Sequence, residues 1–185
     1  WASHEEGRLL SLDAGDKLWQ PKEVEGAARL IREGFEQRDS AVLVTLLRHP
    51  DARIRLRAQL ALTRKTDALE RLAEATKSSD TMTRIHAIWR LCILARRGPS
   101  PLPVMDFGAL PTPAVRNGAE AALPQLRDDK HPEIRAQMLR ALADSKAEQS
   151  NIPIAPLLDD PSPRVRFFAA LLVGKRHLIG AYGPI

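Results

Sequence analysis

Few side chains in this sequence could carry chemistry, and none stands in a pattern that chemistry requires. Cys92, the single cysteine, falls on the apolar side of its stretch, where a thiol is inert, because reactivity needs exposure and nearby positive charge. One cysteine also excludes an internal disulfide and any CxxC metal or redox site. His49 and His131 stand beside prolines with no second ligand at helical spacing, and read as turn residues rather than metal ligands. The pairs Asp128-Asp129 and Asp159-Asp160 each precede a helix start, where capping and the helix dipole account for them. The glycines form neither a GxGxxG nor a P-loop. The sequence therefore predicts no catalytic residue, no metal site, no cofactor and no enzymatic activity.

Arginine is the residue type with a pattern. Pro50-Asp-Ala-Arg-Ile54-Arg55-Leu-Arg-Ala58-Gln-Leu-Ala61-Leu62 places Ile54, Ala58, Ala61 and Leu62 on one helical face, with Arg55 beside its start. The same arrangement surrounds Arg84, Arg135 and Arg166, although Thr83 stands where the other copies have Ile or Val. The intervals between these arginines are 29, 51 and 31 residues, and the long one contains a proline-rich insertion. A helical motif repeating about every thirty residues is the mark of a solenoid.

Other basic and aromatic residues are candidates for a contact surface. His86, Trp89 and Arg90 share one helical face, with Trp89 expected to pack between repeats. Arg53, Arg57 and Arg64 lie off the apolar stripe of their helix, as Arg164 and Lys175 do in theirs. Stacking would align such positions into a ridge able to follow a phosphate backbone. Against this, the net charge of +5 comes from 28 bases interspersed with 23 acids, which is the composition of a solvated mixed surface.

These residues must be positioned by helices. One tyrosine, four phenylalanines and three tryptophans in 185 residues, against abundant Ala, Leu and Arg, favour helix over sheet. Helices are expected from Pro21, over 41–48, 51–64, 67–77, 80–97, 113–127, 132–145, 151–159 and 163–176, with Pro124 either kinking its helix or starting a new one. The Gly98–Leu110 stretch, rich in proline and glycine, must be a loop, and limited proteolysis is expected to nick it first near 98–101. Residues 1–20 read as an extended segment, with Gly7–Asp13 a short strand closing a preceding domain. No apolar run reaches the roughly 20 residues that span a bilayer, which predicts no membrane insertion. The chain begins at Trp1 and reads as a piece of a longer protein, so a missing targeting segment says nothing of location.

The helix pairs over 21–185 resemble HEAT repeats of the short bacterial kind. The resemblance implies an all-α, right-handed α-α superhelix of about four to five pairs, acting as a scaffold towards protein or neighbouring domains. It also implies that Arg55, Arg84, Arg135 and Arg166 bridge to loop acids of adjacent repeats, with Asp51, Asp80, Asp129 and Asp160 as the acids. HEAT-like DNA glycosylases exist, which makes nucleic-acid binding through the arginine ridge the alternative. Three stretches, Leu30–Ser40, Leu46–Leu62 and Arg84–Leu91, further resemble large bacterial proteins that join a dehydrogenase-like β-propeller, HEAT repeats and a C-terminal c-type cytochrome. That resemblance implies a periplasmic or secreted inter-domain spacer, although this chain has no Cys-x-x-Cys-His haem motif and no intact propeller.

Overall fold

The computed structural model describes residues 21–96, 112–145 and 152–176. The expected strand at 7–13, the insertion at 98–110 with its cleavage site, and residues 177–185 lie outside the described residues. Two units divide after Gly34. The first contains α1 (Pro21–Glu33), with Glu23 in its first turn and Arg32 in its last, each sign suited to the nearby dipole end. Ala27 is buried, whereas Val24 is exposed. Gly34 follows at φ +79°, a left-handed helix stop that glycine adopts without steric cost.

The second unit carries α2 (Ser40–Leu46), α3 (Ala52–Thr63), α4 (Ala68–Ala75), α5 (Thr81–Ala95), α6 (Pro113–Ala122), α7 (Pro132–Ser145), α8 (Ala155–Leu158) and α9 (Pro163–Arg176). Among the described residues every regular element is helical, and the fold is an all-α, HEAT-like solenoid. The arginine helices form one layer, with α3 against α5, α5 against α7 and α7 against α9; α2, α4 and α6 form the second.

Burial follows the repeat register. One residue before the arginine stand Ile54, Thr83, Ile134 and Val165; three after it, Ala58, Ala87, Met138 and Ala169; seven after it, Leu62, Leu91, Leu142 and Val173. All twelve are buried. Thr83 keeps its place because its hydroxyl donates to Asp80 Oδ1 at 2.8 Å, so the one polar member is satisfied. Asp80 caps α5 through the Thr83 N–H, as Asp51 caps α3 through that of Arg53.

Two stretches are shaped by their prolines: the first takes the second of its expected alternatives, a new helix begun at Pro124, and the other is shorter than expected. The 113–127 helix ends at Ala122 and continues as a 3₁₀ turn, Leu123–Leu126, because Pro124 has no N–H to give an α-helical ladder. The helix expected over 151–159 is a single turn, α8, with Pro156 in its first positions. Across the second layer, α6 approaches α4 closely at Gly118. A Cβ there would lie 2.5 Å from Leu69 Cδ2, so only glycine fits without displacing that side chain.

Candidate functional site

A ladder of arginines runs through the first layer. Arg135 Nη1 donates to the Asp129 carbonyl of its own helix-start turn at 2.6 Å. Its Nε and Nη2 reach forward to both oxygens of Asp160, each at 2.8 Å. Arg84 makes the equivalent forward pair with Asp129, and its Nε donates to the Thr76 carbonyl at 2.6 Å. Both ion pairs are largely shielded: side-chain exposure is 15% and 7% for Arg135 and Asp160, and 11% and 15% for Arg84 and Asp129. Arg166 Nη1 donates to the carbonyls of Asp160 and Pro161.

The turn that receives each arginine has a common build. The residue six before the repeat arginine is His49, Ser78, Asp129 or Asp160. Each accepts the N–H two residues on, at 3.0, 3.1, 2.9 and 2.8 Å. Asp129 and Asp160 therefore serve twice, closing their own turn and receiving the previous repeat's arginine. Asp51 and Asp80, grouped with them on sequence, stand four before the arginine and are helix caps. The constant offset of six was the available signal for the acceptor position.

Arg55 differs because the forward turn offers Ser78 rather than a carboxylate. Its Nη1 bonds the His49 and Pro50 carbonyls, both at 2.7 Å, and its Nε donates to His86 Nε2 at 3.1 Å. That bond requires a neutral imidazole whose proton sits on Nδ1.

The electrostatics follow from these contacts. The Arg135 hydrogen bonds and the Ser162 N–H hold the Asp160 carboxyl below the usual range, against the opposing effect of burial. Burial pushes Asp129 up, but the bonds from Arg84 and the His131 N–H outweigh it and leave it lowered. The Arg53 side chain chiefly draws the Asp51 carboxyl down to about 2. Burial chiefly depresses His86, helped by the cations of Arg55 and Arg90 and opposed by Asp80.

A depressed histidine stays neutral in the fold while the unfolded chain takes up a proton near pH 6.5, so its contribution is complete above that value and lost below it. Stability measured by urea midpoint is expected to fall as pH drops from 7.5 to 5. The fall should be smaller in His86→Gln, whose amide oxygen can still accept from Arg55. An unchanged pH slope in that variant would remove His86 as the cause.

The candidate contact residues are distributed as follows. Arg90 is 3% exposed, at the register position held elsewhere by Ala61, Ala141 and Leu172, and burial brings its guanidinium down to about 10. Trp89 is half-buried, with the Arg140 guanidinium 4.5 Å from its ring centroid; Arg140 and Arg164 stand 6.0 and 5.3 Å from the Phe168 ring. This chain of cation–π contacts ties α5, α7 and α9. Cys92 is buried, donates to the Ala141 carbonyl, and its thiol is pushed up to about 12 by burial first and Asp144 second.

The bases expected to form a ridge are mostly matched with acids. Arg53 pairs with Asp51, Arg64 with Glu36, Arg164 with Glu133 and Lys175 with Asp144. Arg57 is exposed. Among the described residues no three His, Cys, Asp or Glu side chains cluster as a metal site, and no helix is long and apolar enough to cross a membrane.

Residues 119–180 match the family model for HEAT repeats. This stretch is a HEAT-repeat segment. It includes the rung from Arg135 to Asp160, both residues of it, and the turn geometry described above carries the same HEAT-like arrangement back through α5 and α3. No curated protein matches the chain.

Proposed function

We propose that the chain is a non-catalytic scaffold whose stacked HEAT repeats hold protein partners or neighbouring domains at a fixed separation. The observation that carries this reading is the ladder, in which Arg84 and Arg135 lock α5 and α7 to the turn of the next repeat through two-pronged, shielded ion pairs. Such contacts fix register and orientation between repeats, which a spacer needs. The matched surface charges and the inert Cys92 support the same reading. In its finer form, the array separates an electron-donating propeller from an electron-accepting cytochrome domain in one polypeptide, on the strength of the sequence resemblance. The reading frame beyond residue 185 is then expected to encode a Cys-x-x-Cys-His motif, and its absence would overturn the finer form.

Rigidity is directly measurable. Spin labels at Arg57→Cys on α3 and Gly174→Cys on α9, where an added Cβ meets nothing within 4 Å, are expected to give one narrow distance distribution by electron resonance. A broad distribution would defeat the spacer reading. Binding of duplex DNA with a steep salt dependence would instead favour the nucleic-acid alternative.

A further inference from the structure

One joint of the stack is built differently from those beyond it. Arg84 and Arg135 end on the carboxylates of Asp129 and Asp160, whereas Arg55 donates from Nε to His86 Nε2 at 3.1 Å. Ser78 stands at the acceptor position six before Arg84, and its hydroxyl oxygen accepts the Asp80 N–H. The His49 and Pro50 carbonyls hold the Arg55 guanidinium through Nη1, so it stays beside the imidazole whatever charge the ring carries. A carboxylate and an imidazole answer acid differently. Asp129 and Asp160 are both held below the free-aspartate value of 3.8, so they stay charged in mild acid. An imidazole loses its only acceptor lone pair with the first proton it takes up.

We propose that the Arg55–His86 contact is a pH-sensitive joint: protonation of His86 breaks its bond with Arg55 and loosens α3 from α5, while the rungs joining α5, α7 and α9 hold. The protonated ring would turn an Nε2–H towards the Nε–H of Arg55, setting donor against donor and cation against cation. Burial first, then Arg55 from α3 and Arg90 on its own helix, disfavour the charged ring, and Asp80, in the turn before α5, favours it. The other helices packed against α5, namely α4, α6 and α7, bring no charged group to it among the described residues. The ring therefore stays neutral to below the free-imidazole value of 6.5, and the joint responds between that value and the carboxylate range. The Gln59 Nε2 bond to the His86 carbonyl, at 3.0 Å, and the apolar contacts of α3 with α5 survive protonation, so the joint loosens without parting. This inference rests on the scaffold reading and makes the fixed separation depend on pH at one joint.

The test follows amide hydrogen exchange in the ¹³C,¹⁵N-labelled 185-residue protein from pH 7.5 to 4.5, each rate divided by that of the unfolded chain at the same pH. Protection of the α3 amides is expected to fall roughly tenfold, since a hydrogen bond is replaced by a like-charge contact, while α7 and α9 change little. The Arg55 Nε–H resonance should move with the same midpoint as the His86 ring carbons. His86→Gln should keep α3 protected at pH 4.5, because its amide oxygen accepts from Arg55 at every pH. His49 also belongs to this joint, accepting the Asp51 N–H through Nδ1. His49→Asn, whose side-chain oxygen can take over that bond, should leave the acid response in place. A response that persists in His86→Gln, that vanishes in His49→Asn, or that spreads equally over all helices would overturn the proposal. So would an Arg55 resonance that ignores the His86 titration. The spin-label distances at pH 7.5 are independent of these results: a broad distribution there fails the spacer, whereas a narrow one with no acid response in α3 fails only the joint.

Discussion

Arg135→Ala is expected to cost about 3 kcal/mol of unfolding free energy, because it strips a shielded carboxylate of its counter-ion. Asp160 would keep the Ser162 N–H but lose both guanidinium bonds, and the Asp129 carbonyl would lose its donor as well. The exposed Arg57→Ala should fall within about 0.5 kcal/mol of the parent, as surface substitutions do. Urea midpoints at constant m-value read the difference. The difference should also shrink in acid. Asp160 is depressed in the fold, so its contribution is complete above the free-aspartate value of 3.8 and disappears as pH falls through its lower folded value. If Arg135→Ala and Arg57→Ala lose equal stability at neutral pH, the rung is decoration rather than a link.

The second large effect belongs to the core. Leu142→Ala is expected to cost about 3–5 kcal/mol, through lost transfer energy and an unfilled cavity. Leu142 is fully buried in α7, between α5 and α9, at the register position that Leu62, Leu91 and Val173 also fill. Cohesion in a repeat array comes from neighbour contacts, so a cavity in α7 weakens two interfaces at once. Leu56→Ala deletes the same atoms from a side chain that is 43% exposed and should cost less than about 1 kcal/mol. A midpoint shift for Leu142→Ala no larger than that of Leu56→Ala would contradict the assigned register.

The two effects have different visibility in the sequence. The core positions were legible because burial on one helix face leaves a 3.6-residue period of apolar side chains, and the repeat spacing multiplies that signal. Thr83 broke the pattern in type but not in place: its buried hydroxyl is answered by Asp80, a contact within the same turn. The arginines were also legible, since they recur at one offset from the stripe. Their partners were less so. The nearest acids, Asp51 and Asp80, cap their own helices, and only the residue six before the arginine faces the previous repeat.

What the sequence determined by itself was therefore local and periodic: helices, their apolar faces, the caps, and the identity of the repeat arginine. Those follow from backbone propensity and from the spacing of side chains on one element. Tertiary structure decided which charges meet. Arg135 finds Asp160 across 25 residues, Arg84 finds Asp129 across 45, and Arg55, lacking a forward carboxylate, takes His86 instead. It also put Arg90 into a position that other repeats give to Ala or Leu. The physical reason is that an ion pair depends on the distance and shielding between two elements, and a period along one chain fixes neither until the helices are stacked.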